Sequence, residues 1–96
     1  MKTSYECEIK LLESGGLKAA LSSSPFRGHL QFDNEEEHYS CFVEFDTKSS
    51  WQLGEQRRVR VYFFWDTLPK DFMGRNFRLY GLHKIGIGKL ISERKT

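Results

Sequence analysis

Three histidines and two cysteines are the side chains in this sequence that could hold a metal ion or attack a substrate. They are His29, His38, His83, Cys7 and Cys41. Zinc sites usually place two ligands within a few residues of each other, as in Cys-x-x-Cys or His-x-x-x-His, and no pair here has that spacing. We therefore expect no metal ion and no other cofactor.

A thiol nucleophile is formally available from Cys41 with His29 as its base. Cys41 lies on the apolar phase of an alternating segment, however, and a buried thiol is protonated and inert. Two cysteines are too few for a disulfide-built miniprotein, so Cys7 and Cys41 are expected to be free and buried. No set of nucleophile, base and oxyanion donors can be placed from the sequence, so we predict that the protein is not an enzyme.

The elements that must position these side chains are short β-strands. Apolar and polar residues alternate with a period of two, which is typical of strands with one buried face. The segments are 5–11, 27–32, 39–46, 57–65 and a closing hairpin within 74–91. Turn-forming residues separate them and no long amphipathic helix is present. We predict one all-β domain over residues 1–96, a six-stranded antiparallel barrel.

Three local features accompany this pattern. Residues 17–24 are predicted to form a loop, because three serines and the following proline stop a helix from growing. Ile85 and Ile87 are predicted to share the apolar face of the last strand, alternating with glycines that let a neighbouring group approach closely. Residues 92–96 are predicted to form a charged tail.

Composition and charge limit the functions to consider. The 96 residues carry 15 Lys and Arg against 13 Asp and Glu, a formal charge of +2. Nucleic-acid binding would therefore have to come from local clusters of basic residues. No apolar run approaches the ~20 residues that span a bilayer, and the first residues lack the apolar core of a signal peptide. We expect a cytoplasmic protein that binds neither a membrane nor a small-molecule substrate.

The segment 57–65 carries the main candidate for a binding surface. One face has Arg58, Arg60, Tyr62 and Phe64, and the opposite face has Val59, Val61, Phe63 and Trp65. Arginines beside aromatic rings can clamp and stack single-stranded nucleic acid, and Arg57 would add a third basic group. We favour the alternative of a solvated face whose arginines pair with glutamates of an adjacent strand.

The aromatic residues of the same face indicate a protein partner. If the valine face is the core, Tyr62 and Phe64 are exposed, and Phe42 breaks the polarity of the third strand in the same way. Exposed aromatics rimmed by arginines are typical of the centre of a protein interface. Alternatively, the loop at 17–24 could cover these rings.

An acidic loop forms the second candidate surface. It consists of Glu35, Glu36 and Glu37. Such a run is most often a solvated turn, but it could also dock into a basic cleft, as small bacterial proteins that neutralise toxic nucleases commonly do. We predict a protein-binding module, with an immunity or inhibitor protein that neutralises a toxin as its narrower form. The alternative is an RNA-binding or translation-associated module.

Short motifs follow one another along the chain in a recognisable order. They are Tyr5-Glu6-Cys7-Glu8-Ile9, Gly15-Gly16, Phe26-Arg27-Gly28, Leu53-Gly54-Glu55, Val59-Arg60-Val61, Gly74-Arg75-Asn76-Phe77-Arg78-Leu79 and Ile85-Gly86-Ile87-Gly88-Lys89. In this order they resemble the C-terminal β-barrel of elongation factor Tu. In that family the barrel follows a GTPase domain and another barrel, and it contributes to contacts with tRNA, nucleotide-exchange factor and the GTPase domain.

Two departures limit what the resemblance implies. The chain has no Gly-x-x-x-x-Gly-Lys-Ser/Thr phosphate loop, so GTP hydrolysis is not implied. Where the family has a polar run with paired threonines, this chain has Asp33-Asn34-Glu35-Glu36-Glu37-His38, and a triple glutamate repels phosphate backbones. The resemblance thus implies an architecture, while function has to be argued from sites.

Overall fold

The computed structural model describes residues 3–64 and 70–95, which are mostly β-structure. The strands are β1 Thr3–Leu11, β2 Phe26–Phe32, β3 His38–Glu44, β4 Gln56–Phe63, β5 Asn76–Tyr80 and β6 Lys84–Lys95. A 3₁₀ helix over Lys70–Phe72 precedes β5. In these two ranges no helix has the length and apolar character needed to cross a membrane.

The strands close into one antiparallel barrel in the order β1-β4-β3-β2-β5-β6, so the predicted six-stranded barrel is confirmed. Three pairs join strands that follow each other in the chain. The other three pairs are β1 with β4, β1 with β6, and β2 with β5. The barrel therefore closes only when segments far apart in the sequence meet.

Apolar side chains from every strand fill the interior. The buried strand residues are Tyr5, Cys7, Ile9, Leu11, Leu30, Phe32, Cys41, Val43, Val59, Val61, Phe77, Leu79, Ile85 and Leu90. Phe45, Trp51 and Phe72 join the same cluster from outside the strands. Phe63, which the pattern places in the core with Val59 and Val61, is half-buried at the margin of the cluster.

The two cysteines are free and buried, as predicted. Burial raises the pKa of the Cys7 thiol and raises that of Cys41 to about 12. Both thiols are therefore protonated at neutral pH, and neither is accessible to a substrate.

The glycine-rich strand β6 departs from the predicted pattern. The β5–β6 register shifts between Leu79 and Tyr80, which leaves Ile85 as an extra residue on β6. Ile85 is buried, whereas Ile87 is 44% exposed. The prediction that both isoleucines share the apolar face is wrong, because the bulge reverses the alternation beyond Ile85.

Gly88 leaves space that the Phe77 ring of β5 occupies. A Cβ atom built on Gly88 would lie 2.8 Å from two carbons of that ring, closer than real Cβ contacts allow. The predicted close approach of a neighbour at the glycines of this strand is confirmed.

The end of β6 and the end of β4 also differ from the prediction. The pattern predicts a tail over 92–96, but β6 continues to Lys95 and pairs with the start of β1, from Glu6↔Ser92 to Thr3↔Lys95. The tail prediction is wrong for 92–95, since backbone pairing does not require apolar side chains. The strand predicted over 57–65 ends at Phe63, and its last residue, Trp65, lies outside the described residues.

The predicted loop over 17–24 is confirmed, and it packs over Trp51. Leu21 and Trp51 form an isolated bridge through backbone hydrogen bonds of 3.0 and 2.8 Å. The Ser24 hydroxyl accepts a hydrogen bond of 3.0 Å from the Phe45 amide. This loop leaves Phe42 and Phe64 exposed, so the alternative in which it covers these two rings does not hold. Tyr62, also predicted to be exposed, is half-buried.

Candidate functional site

Two exposed phenylalanines contact each other on the outer face of β3 and β4. Phe42 is 37% exposed and Phe64 is 46% exposed. Their ring centroids are 5.1 Å apart and their planes differ by 26°, which is a stacked arrangement. Phe42 lies opposite Tyr62, and the Phe64 amide donates a hydrogen bond of 3.1 Å to the Ser40 carbonyl. Strand pairing therefore brings the two rings together.

Arg27 of β2 completes this group. It lies opposite Phe42 in the β2–β3 register. Its guanidinium carbon is 5.2 Å from the centroid of the Phe64 ring, within the range of a cation–π contact. We call the surface formed by Arg27, Phe42 and Phe64 the aromatic platform.

Arg27 differs from five of the six other arginines, because each of those five forms an ion pair. The pairs are Arg57 with Glu55, Arg58 with Glu6 and Glu8, Arg75 with Asp71, Arg78 with Asp33, and Arg94 with Glu6. A hydrogen bond to Tyr62, with the nearby charges of that residue and of Glu44 and Glu6, raises the pKa of Arg60. Within 3–64 and 70–95, Arg27 has no carboxylate partner.

The arginine end of β4 is neutralised by the protein itself. Arg58 lies 3.7 Å from a Glu8 carboxylate oxygen and 4.0 Å from one of Glu6. Arg60 lies opposite Glu6 on β1 and opposite Glu44 on β3. The predicted pairing of arginines with glutamates of an adjacent strand is therefore confirmed for Arg58. Arg58 and Arg60 share the outer face with the platform, but Arg58 forms ion pairs with two glutamates and Arg60 has a glutamate opposite it on each neighbouring strand.

Arg57 organises the connection between β3 and β4. Its side chain is only 15% exposed and lies 2.8 Å from the Glu55 carboxylate. It also donates hydrogen bonds to the carbonyls of Asp46 and Ser50, at 3.0 and 2.9 Å. The hydrogen bond from Arg57 is the main cause that lowers the pKa of Glu55. The interpretation of Arg57 as a third basic group on a nucleic-acid surface fails, because these contacts use its donors.

The acidic loop is separate from the arginines of β4. It lies at the His38 end of β3, whereas Arg58 lies beyond the Glu44 end. Glu36 and Glu37 are exposed and Glu35 is half-buried. Burial, the charges of Glu37 and Glu35, and a hydrogen bond to Glu37 raise the pKa of Tyr39. The structure therefore divides the predicted partner-binding residues between two surfaces.

A second group of rings lies beside the platform, and the sequence analysis named two of its members, His29 and His38, only as a possible base and possible metal ligands. His29 stacks on Tyr80 with centroids 5.3 Å apart and planes 5° apart, and the His38 ring is 4.7 Å from that of His29. The Tyr80 hydroxyl donates a hydrogen bond of 3.3 Å to Gln31. We call His29, His38 and Tyr80 the histidine cluster. His29 follows Arg27 by two residues on the same face of β2, so the cluster and the platform are adjacent.

The outer face combines titratable and aromatic side chains. Burial, and to a smaller extent the charge of His38, lower the pKa of His29. No grouping of three or more His, Cys, Asp or Glu side chains able to hold a metal ion occurs in the described part of the chain. The outer face presents stacked rings beside Arg27, which has no acidic partner among residues 3–64 and 70–95.

No protein-family model matches the chain, and no curated protein is significantly similar to it. The resemblance to the elongation factor Tu barrel therefore stays a prediction.

Proposed function

We propose that this chain is a non-enzymatic protein-binding module whose binding face is the aromatic platform. The observation that carries the proposal is the stacked, exposed pair of Phe42 and Phe64 beside Arg27. Contiguous exposed apolar groups on a small folded domain commonly mark a surface that a partner covers. Aromatic residues and arginine also contribute most of the binding energy at protein interfaces.

The platform is preorganised for binding. Phe42 projects from β3, and the Phe64 backbone is hydrogen-bonded to β3, so the closed barrel fixes the positions of both rings. The two rings also restrict each other's rotamers by stacking. A partner that covers them therefore loses little affinity to the ordering of side chains.

The acidic loop supports the narrower form of this proposal. Glu36 and Glu37 are exposed at the end of the barrel where β3 begins. Exposed carboxylates steer a basic partner and raise its association rate. In an immunity or inhibitor protein, this loop would enter a basic cleft of the toxin while the platform supplies apolar contacts.

An RNA-binding or translation-associated module is the second candidate. One observation favours it: the Phe42–Phe64 and His29–Tyr80 stacks lie on neighbouring strands beside Arg27. Aromatic faces beside basic groups can bind single-stranded nucleic acid. The proposed likeness to the elongation factor Tu barrel agrees with either candidate, since that barrel contacts both proteins and tRNA.

The two candidates are separated by one set of variants. A Phe42→Ala/Phe64→Ala variant and the matched control Arg58→Ala are immobilised beside the wild type, and capture of protein from the source cell is quantified. We expect a partner that the wild type and Arg58→Ala retain and the double variant loses. Circular dichroism checks that each variant is folded.

The same proteins are titrated with fluorescent single-stranded RNA at low, physiological and high salt. For a protein-binding module we expect only weak RNA binding at physiological salt. Tight RNA binding there, falling steeply as salt rises, would overturn the proposal in favour of the second candidate.

A further inference from the structure

Arg27 is a cation placed where a partner would bury it. Its guanidinium lies over the exposed Phe64 ring, and in residues 3–64 and 70–95 no carboxylate pairs with it. A partner that covers the two phenylalanines also removes water from Arg27. An unpaired charge at such a place is strongly unfavourable, so the partner has to supply an acceptor.

The surroundings of the platform favour one acceptor for Arg27, a protein carboxylate, over the other, a nucleic-acid phosphate. The acidic loop at 35–37 lies at the His38 end of β3, and its Glu36 and Glu37 are exposed. A nucleic acid carries a phosphate on every nucleotide, so a strand crossing the platform along β3 would meet exposed carboxylates at this end. A single carboxylate of a protein partner meets Arg27 without running along β3.

We infer that the partner presents an Asp or Glu carboxylate next to an aromatic or aliphatic side chain, with the carboxylate bound by Arg27 and the apolar group seated on Phe42 and Phe64. This inference rests on the proposed function and adds the chemistry of the partner. Arginine suits this role because its planar guanidinium donates two parallel hydrogen bonds to one carboxylate. The adjacent rings of Phe42 and Phe64 then fix how far the apolar group lies from the carboxylate.

The test uses a random peptide library displayed on phage, selected against the wild-type protein. We expect the enriched peptides to share an Asp or Glu within one or two positions of an apolar residue. A synthetic peptide of the enriched sequence is then measured by fluorescence anisotropy against the wild type, Arg27→Gln and Arg27→Lys.

The expected result is a loss of affinity of about tenfold or more for Arg27→Gln, with a smaller loss for Arg27→Lys, which keeps the charge but not the fork of donors. Changing the acidic residue of the peptide to its amide should cost the wild type a similar factor. It should cost the Arg27→Gln protein almost nothing further, because the two groups act as a pair.

The outcomes separate this inference from the function on which it rests. Enriched peptides that need Phe42 and Phe64 but lack acids, or an unchanged affinity of Arg27→Gln, would overturn the inference alone. Absence of any enrichment, or enrichment that survives Phe42→Ala/Phe64→Ala, would overturn the proposed function as well. Displacement of the bound peptide by single-stranded RNA at low concentration would overturn both in favour of nucleic acid.

Discussion

The outer face of β4 has two halves that differ in how their side chains are partnered. At one half, Arg58 is paired with the glutamates of β1. At the other half, beside the strand end, Phe64 stacks on Phe42 and lies under Arg27, which pairs with no carboxylate of the residues that the structure describes. The two halves share one strand and one face, so the neighbouring strands make the difference. Charges that the barrel compensates belong to its scaffold, and the groups that it leaves open are those that we propose a partner binds.

Val61→Asp has the largest expected effect, since it tests which face of β4 is outside. Val61 is fully buried. An unpaired carboxylate there costs several kcal/mol against a total stability of about 5 to 15 kcal/mol, so we expect an unfolded protein by circular dichroism. Ser40→Asp, at an exposed position of β3, is the control that should stay folded. If Val61→Asp were as stable as wild type, the buried and exposed faces of β4 would be the reverse of those described.

The neighbouring residues Arg57 and Arg58 allow the stability contribution of a structural charge to be compared with that of a surface charge. Arg57→Ala should lower the free energy of unfolding by about 2 kcal/mol, because several charge-assisted hydrogen bonds to one loop are lost. Arg58→Ala should cost less than about 1 kcal/mol, since its ion pairs are exposed. Urea unfolding measures both values. Equal losses would contradict the assignment of Arg57 to the scaffold.

The histidine cluster makes stability depend on pH. Burial and His38 lower the pKa of His29 from 6.5, so the unfolded chain takes up a proton there more readily than the folded one. The stability present above about pH 6.5 is therefore lost as the pH falls through the lower folded pKa. The melting temperature of His29→Gln should fall less over this window than that of wild type. His83→Gln, at an exposed turn, is the control, and identical profiles for wild type and His29→Gln would contradict the prediction.

Arg27→Gln has the smallest expected effect on stability. Arg27 is exposed and contacts the Phe64 ring, so the free energy of unfolding should change by no more than about 0.5 to 1 kcal/mol. Urea unfolding beside Arg58→Ala checks this. A loss as large as that expected for Arg57→Ala would assign Arg27 to the scaffold and remove the contrast between the two halves.

The barrel could be predicted from the sequence because apolar and polar residues alternate along its strands with a period of two, and one phase is consistently apolar. Ile87 escaped because the extra residue Ile85 reverses the phase of β6, and periodicity carries no sign of an inserted residue. The last residues of β6, 92–95, escaped for another reason. Their side chains are mostly charged, and their place in the sheet depends on pairing with β1.

The candidate site was predictable to the extent that it lies on one strand. Exposure of Phe64 follows from the burial of Val59 and Val61 on the opposite phase of the segment, and Phe42 breaks polarity visibly. The contacts of Arg27 and His29 were missed because they depend on the register of β2 against its neighbouring strands. A signal was present in the short acidic loop: if it joins β2 and β3 as a hairpin that pairs Gln31 with His38, Arg27 falls opposite Phe42.

β1 and β6 are paired out to Thr3 and Lys95, so the strand order of the closed barrel does not depend on which connection is left open. A circular permutant that links these residues and opens the turn at Leu82, which is 98% exposed, would keep every strand pair. In that permutant β1 and β6 would become a local hairpin, and β5 and β6 would become the most distant pair. Refolding rates of the two forms would therefore reveal which of these two seams limits closure of the barrel.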